Sequence, residues 1–168
     1  MSERMCLDGK VRVVFGVGPM PRPDSSHPVQ WIRRRDHRRS LAFIEGRPVW
    51  RVDPPQRGVI TVSIQFELLH LYVPSEMRAA PAALARIIRH ERGHVPAWEQ
   101  ALSSHVDDLC TALESQITGT ATVQAVHDIV QSLQRQRSRA LTQAATAWDR
   151  RDYPGLFRDL ERMGAPRL

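Results

Sequence analysis

The amino-acid sequence predicts a single α+β domain in which a small, mostly antiparallel sheet precedes three main helices. The first part of the chain, residues 1–74, contains strand-like segments, of which the last alternates apolar and polar residues, whereas apolar residues recur at helical spacing over residues 75–168. The length of 168 residues suits one domain with its own core better than two. Strands followed by helices along the chain are typical of the α+β class.

The first part of the chain has three segments with strand character. They are residues 11–17, 40–52 and 58–74. The middle segment resembles a hairpin whose turn lies near residues 45–47. The last segment alternates most clearly, because Val62, Ile64, Phe66 and Leu68 fall on one side and polar residues on the other. A period of two predicts a half-buried strand.

Three main helices are predicted after this strand. The first runs from Pro81 to about His94, and Pro96 should end or kink it. The second covers residues 97–117. The third begins after an N-cap at Thr120 and runs to about Asp149, where the sequence Asp-Tyr-Pro-Gly should end it. A short tail closes the chain.

Charge and composition are those of a water-exposed globular protein. The net charge is +6, and 23 of the 24 basic residues are arginine. The densest basic cluster, residues 31–40, is interpreted as a solvated loop, because no nucleic-acid-binding motif accompanies it. No nucleic-acid partner and no membrane span are therefore predicted, since no apolar run approaches the roughly 20 residues that a bilayer requires.

The two cysteines, Cys6 and Cys110, are too few for a disulfide framework. Cys110 adjoins an apolar stripe, which indicates a buried free thiol. The N-terminus lacks the pattern of a signal peptide, because acidic residues come early and the apolar run is short. These features predict a cytoplasmic protein.

The segment His90-Glu91-Arg92-Gly93-His94 has the pattern of a zinc-binding helix. Helical residues four apart lie about 40° apart around the axis and about 6 Å along it, so His90 and His94 share a face and can reach one ion. Glu91 then lies beside the ion, where it can accept a proton from a water molecule that the metal makes more acidic. The pattern predicts two metal ligands and a general base; the competing interpretation is a polar helix face without metal.

A sheet, an HExxH helix and later helices together resemble the layout of the zincin metallopeptidases. More closely, the chain resembles a small bacterial family of predicted zinc-dependent proteases, which carry His-Glu-x-Gly-His and a late Tyr-Asp-x-x-Thr-x-His-Gly motif. The late motif matches residues 148–155 with Asp149 and Gly155 retained. Three residues depart from it: Trp148, Asp152 and Pro154 replace Tyr, Thr and His. The resemblance covers roughly residues 48–156 and implies a zincin-like fold with bound zinc.

The third metal ligand is open between three carboxylates. The family's late His is absent, but Asp149 is present, and aspartate is the third ligand in the aspzincin branch. Asp149 also extends an apolar row of the third helix at four-residue steps, and a carboxylate on a buried row needs a partner such as zinc. Asp152 is the second choice, and Glu114 requires the second helix to fold back on the first.

These observations predict a zinc-dependent hydrolase. The function expected first is a metallopeptidase that cleaves a peptide, a protein or a small amide, with Zn²⁺ bound by His90, His94 and Asp149 and with Glu91 as general base. The alternative is a catalytically weak or inactive zincin-fold protein that binds an acidic partner through its arginine-rich surface. The sequence leaves the substrate and the oligomeric state open.

Overall fold

The computed structural model describes residues 1–36 and 40–165, without the side chain of Leu68. The strands are β1 (Ser2–Cys6), β2 (Val11–Gly16), β3 (Pro23–Asp24), β4 (Phe43–Gln56) and β5 (Val59–Tyr72). The helices are α1 (Val29–Arg35), α2 (Pro81–Arg92), α3 (His94–Gln116), α4 (Val123–Ser132) and α5 (Gln134–Arg162), with a 3₁₀ turn at Ser75–Ala79. Apart from α1, strands precede helices, so the predicted mixed class is confirmed.

The chain is divided between two compact units that alternate along the sequence. The first unit contains Met1–Gly18, Pro48–Glu67 and Trp98–Ala144. The second unit contains Pro19–Arg47, Leu68–Ala97 and Ala145–Leu168. Each unit combines strand and helix segments from distant parts of the sequence. The interpretation as one domain, divided into residues 1–74 and 75–168, stays a prediction.

The sheet of the first unit is built on β2. This strand pairs antiparallel with β1 and parallel with the first half of β5, where Val11 faces Ile60 and Phe15 faces Ile64. Val13, Val62 and Ile64 are fully buried, whereas Gln65 is exposed. The predicted alternation in β5 is therefore confirmed over its first half, because apolar burial requires a period of two.

The predicted hairpin turn at residues 45–47 is wrong. β4 runs without interruption from Phe43 to Gln56, and the chain reverses at Arg57-Gly58. Both turn residues have positive φ, 51° and 81°, as a two-residue hairpin turn requires. The prolines in β4 are tolerated because this strand pairs with β5 alone among the described strands, and an edge strand can lack N–H donors.

The prediction of a free thiol at Cys110 is also wrong. Cys6 of β1 and Cys110 of α3 form a disulfide bond between positions 104 residues apart. Both residues belong to the first unit. The bond ties the N-terminal strand to a helix that follows much later in the sequence, a pairing that two isolated cysteines do not indicate.

We expect the substitution Cys6→Ser to lower the free energy of unfolding by about 2–4 kcal/mol, because the cross-link restricts the unfolded chain. Urea unfolding of the wild type and the variant, with and without reductant, measures this difference in the free energy of unfolding. Reductant should destabilise the wild type by the same amount and leave the variant unchanged. Equal stability of the oxidised and reduced wild type would contradict the prediction.

The predicted start of the first helix is confirmed, whereas the starts of the second and third helices are shifted. α2 begins at Pro81 as predicted, and α3 covers the predicted second helix, although it starts earlier, at His94. The predicted third helix is divided at Leu133 into α4 and α5, and its N-cap is Thr122, whose hydroxyl accepts a hydrogen bond from the Ala125 N–H. Thr120 is therefore not the cap.

Helix α5 does not end near Asp149. It continues through Pro154 to Arg162, although proline removes one backbone hydrogen bond from a helix. The extension buries Leu156 and Leu160 in the core of the second unit. Burial of two leucines, about 1.5–3 kcal/mol each, offsets the cost of an internal proline, about 3 kcal/mol.

The core of the second unit brings together the end of β5, helix α2 and the C-terminal part of α5. Leu71 of β5, Ile87 of α2 and Leu156 of α5 are buried in one cluster. This cluster holds the last turn of α2 against α5. None of the helices in the described part of the chain is long and apolar enough to cross a membrane.

Candidate metal centre

The two histidines of the HExxH segment lie at a junction between two helices. His90 and Glu91 belong to the last turn of α2, three and four residues after the buried Ile87, so they continue its buried face. Gly93 ends α2, and His94 begins α3. All three polar side chains of the motif are buried, with exposed fractions of 0% for His90, 4% for Glu91 and 7% for His94.

The junction is stabilised by Trp148 of α5. Its indole Nε1–H donates a hydrogen bond of 2.9 Å to the carbonyl oxygen of His90. A Cβ atom on Gly93 would lie 2.0 Å from Cζ2 of this indole, so only glycine fits there. The indole therefore fills the space beside Gly93 that the side chain of any other residue would need.

We expect the substitution Gly93→Ala to lower the free energy of unfolding by about 2–3 kcal/mol, because the methyl group must displace the Trp148 ring. Gly119→Ala is the matched control, since a Cβ atom at Gly119 would meet no other atom within 4 Å. Urea unfolding of both variants measures the difference. A Gly93→Ala variant as stable as the control would contradict the packing argument.

Asp149 of α5 brings a carboxylate between the two imidazoles. Its Oδ1 atom lies 3.3 Å from Nε2 of His90 and 3.2 Å from Nε2 of His94. The ligand atoms of these three residues all lie within 4.8 Å of one another. Nε2 of His90 and Oδ1 of Asp149 are buried and form no hydrogen bond of normal geometry. The three predicted ligands are thus adjacent.

The spacing of these atoms suits a metal ion. Ligand atoms that surround zinc tetrahedrally at about 2.0–2.1 Å lie about 3.3–3.4 Å from each other. The observed separations of 3.3 and 3.2 Å between Asp149 and the two histidines are close to this value. Two imidazole nitrogens and one carboxylate oxygen form a donor set that zinc accepts. The residues therefore fit the predicted cofactor, although other divalent metals accept the same donors.

The two other candidate ligands are placed elsewhere. Asp152 binds the opposite nitrogen of the His90 ring, with 2.8 Å between its Oδ2 and Nδ1. Glu114 is exposed and lies twenty residues beyond His94 on the same helix. Asp149 is the one carboxylate of the three that joins both histidines.

Asp152 determines how the His90 ring is oriented. It accepts a hydrogen bond from Nδ1–H, so that Nε2 is the ring nitrogen that faces Asp149. Arg86 holds Asp152 through both terminal nitrogens, at 3.0 and 3.2 Å, and donates its Nε–H to Asp159 at 2.8 Å. The sequence analysis did not identify Arg86. Its position four residues before His90 on one helix was the available signal.

We expect the substitution Asp152→Asn to weaken metal binding by about 10–100-fold, because the His90 ring loses its charged hydrogen-bond partner. Asp128→Asn is a matched control, since Asp128 is also beside a histidine ring, His127, but is exposed. Competition with a chromogenic chelator measures the two dissociation constants. Equal affinities in the two variants would show that the carboxylate near His90 has no role in metal binding.

Burial and neighbouring charges change the pKa values at this site. Burial is the largest single influence on His90 and acts to lower its pKa. The carboxylates of Asp149 and Asp152 together outweigh burial, so the pKa of His90 is raised. Burial also acts to raise the pKa of Asp149, but the close imidazoles of His90 and His94 bring it down to about 2. Asp149 is therefore an anion at neutral pH.

Glu91 lies beside the three candidate ligands, as the helical spacing predicts. Its Oε2 atom is 3.9 Å from Nε2 of His94. Burial raises the pKa of Glu91 to about 7, although the two imidazoles oppose this shift. A buried carboxylate with a pKa near neutrality is common for groups that accept and release protons.

Aromatic rings cover the His90 side chain. The Tyr153 ring stacks on the imidazole with a centroid distance of 4.5 Å, and the Trp148 ring lies at 6.1 Å. Burial raises the pKa of Tyr153. These rings shield the imidazole from water, whereas the Asp149 side chain is 31% exposed and gives the site its opening.

Comparisons of this chain with protein-family models, with curated proteins and with solved structures found no match. The resemblance to zincin metallopeptidases stays a prediction based on two motifs. The functional argument therefore depends on the geometry of the site.

Proposed function

We propose that this protein is a zinc-dependent hydrolase that cleaves a peptide or amide bond. His90, His94 and Asp149 would hold the metal, and Glu91 would act as the general base. The observation that carries the proposal is the convergence of three buried or half-buried ligand atoms within 4.8 Å of one another, directly beside a buried glutamate.

The number of ligands supports a catalytic rather than a structural site. Structural zinc sites are closed by four protein ligands, whereas catalytic sites use three and keep one position open. The described residues supply three. The Asp149 side chain is 31% exposed, so a substrate would approach the metal from this side.

Each neighbouring residue has a defined task in this proposal. A bound zinc ion would polarise a substrate carbonyl and lower the pKa of a water molecule. Glu91 would accept a proton at a carboxylate oxygen and release it to the leaving nitrogen. Asp152 would keep the proton of His90 on Nδ1, and Arg86 would keep Asp152 in place through two hydrogen bonds.

The departures from the late family motif are consistent with a working site. Asp152, in place of threonine, is the hydrogen-bond partner of His90. Trp148, in place of tyrosine, binds the His90 carbonyl. Pro154 replaces histidine, so this position offers no ligand atom, and Asp149 would take the third place. The resemblance adds support for a protease, and it includes Asp149 but not Asp152.

The substrate class within this proposal is a peptide, a protein or a small amide. The predicted cytoplasmic location is untested, and the disulfide between Cys6 and Cys110 favours an oxidising compartment instead, because disulfides are rare in the cytosol. Processing of a peptide outside the cytosol is compatible with the metal centre and with the disulfide.

The test is metal analysis joined to a hydrolysis assay. The protein is purified without chelator, its metal content is determined by elemental analysis, and cleavage of a mixed fluorogenic peptide library is measured before chelation, after chelation and after zinc is restored. One zinc per chain, with activity that follows the metal, is the expected result. Absence of stoichiometric metal under zinc-replete conditions would overturn the proposal.

A further inference from the structure

A second buried polar pair lies in the first unit and shares no residue with the metal centre. Arg137 of α5 is 2% exposed and His105 of α3 is 4% exposed. Nε of Arg137 and Nδ1 of His105 are both enclosed and have no hydrogen-bond partner among the described residues. A guanidinium group is almost never buried without a partner, so this pair requires an explanation.

The guanidinium charge has no counterpart in the described part of the chain. None of the ion pairs found among these residues includes Arg137, whereas its sequence neighbours Arg135 and Arg139 are exposed to water. Burial lowers the pKa of Arg137, which shows how unfavourable the position is for a cation. An enclosed, unpaired charge is strongly destabilising unless an anion or a polar group joins it.

The start of α5 adds to the positive potential. Arg137 is the fourth residue of this helix, and helical side chains lean toward the N-terminus of their helix. The first turn of α5 contains no acidic residue that would compensate the positive end of the helix dipole. The Arg137 side chain thus leans toward the end of α5 where no acidic side chain offsets its charge.

The two acidic side chains that follow His105 on α3 are already engaged. Asp108 is exposed and accepts a hydrogen bond of 2.9 Å from the Gln136 side chain. Asp107 forms an ion pair of 2.8 Å with Arg4. Burial, and next the charge of Arg137, lower the pKa of His105 to about 4, so its imidazole is neutral and offers one N–H donor. The pair combines one cation with a neutral donor.

We propose that Arg137 and His105 form a binding site for a small oxyanion of the phosphate or sulfate class. Such an anion would accept hydrogen bonds from the guanidinium and the imidazole, and its charge would neutralise Arg137. A bound water molecule would satisfy the hydrogen bonds but leave the charge uncompensated.

Sulfate is the probe, because it binds zinc weakly. Isothermal titration calorimetry of the full chain with sulfate, in a buffer of chloride at matched ionic strength, should show one site per chain. Thermal unfolding in 10 mM sulfate should raise Tm by about 3–5 °C for a millimolar dissociation constant. Acetate is the second probe, and a smaller rise is expected, because it carries one charge instead of two.

Variants assign the response to the proposed residues. Arg137→Met should abolish the sulfate response, because methionine fills the space without a charge. Arg135→Met removes the same charge from the exposed neighbouring position and should keep the response. Asp149→Ala should also keep it, because that residue belongs to the metal centre and not to the anion site.

Three results would overturn the proposal. The first is the absence of sulfate binding to the wild type in calorimetry, which needs no variant and is therefore independent of whether Arg137→Met folds. The second is an equal rise in Tm for Arg137→Met and Arg135→Met, which would indicate a general salt effect. The third is loss of the response in Asp149→Ala, which would place sulfate at the metal centre.

Discussion

Zinc affinity should fall by more than a hundredfold, or more than about 2.7 kcal/mol, when Asp149 is replaced by alanine. Loss of a residue that only supports a ligand weakens binding by about 10–100-fold, and loss of a ligand itself should exceed that range. Asp149 contacts both histidines at 3.2–3.3 Å, so two imidazoles alone would remain to hold the ion. Competition with a chelator of known affinity measures the change.

Glu114→Ala is the control for this experiment. Glu114 is the acidic residue that a different family of zinc enzymes would suggest, but here it is exposed on α3. Its removal should leave zinc affinity unchanged. A large loss in Glu114→Ala, with normal affinity in Asp149→Ala, would move the third ligand and contradict the site described here.

The hydrolytic rate should fall by about 10²–10⁴-fold in the variant Glu91→Gln, which is the usual contribution of a general base. Glutamine has nearly the same shape as glutamate, so zinc content and stability should stay close to those of the wild type. The amide cannot accept the proton that the reaction must move, and kcat should therefore fall more than KM changes. Steady-state kinetics with a cleaved peptide, and metal analysis of the same sample, measure both properties.

Glu99→Gln is the matched control, because Glu99 lies in the early part of α3 and is exposed. Its activity should equal that of the wild type. Full activity in Glu91→Gln would exclude the proposed mechanism. If zinc were bound at full affinity and no peptide were cleaved by the wild type, the alternative function, binding of an acidic partner by a catalytically inactive protein, would become the better interpretation.

The separate effects of these two substitutions distinguish metal binding from catalysis. Asp149→Ala should remove zinc and activity together, and excess zinc should partly restore activity. Glu91→Gln should remove activity alone, and zinc should not restore it. The two outcomes follow from the geometry, because Asp149 lies between the histidines and Glu91 lies beside them.

Local patterns in the sequence predict several parts of this structure. Alternation over residues 58–67 indicates the buried face of β5, because side chains of a strand point alternately to opposite sides. Pro81 marks the start of α2 because its fixed φ suits a first helical turn. The spacing of His90, Glu91 and His94 predicts two adjacent imidazoles and a neighbouring carboxylate. Each of these features depends on residues a few positions apart.

The role of Asp152 shows where local patterns are insufficient. Asp149 and Asp152 lie three residues apart on one helix, so both face the same side and both qualify as ligands by spacing. The packing of α5 against α2 distinguishes them, because it brings Asp149 to Nε2 of His90 and Asp152 to Nδ1. Arg86 then holds Asp152 on that side of the ring.

The sequence by itself therefore determined the motif, the strand alternation and the mixed class, since these follow from interactions within one segment. The tertiary structure decided which carboxylate joins the histidines, that Cys6 and Cys110 are bonded, and that α5 continues past Pro154. Each of these depends on contacts between residues far apart in the sequence. The burial of Leu156 and Leu160 against α2, for example, outweighs the local preference of proline to end a helix.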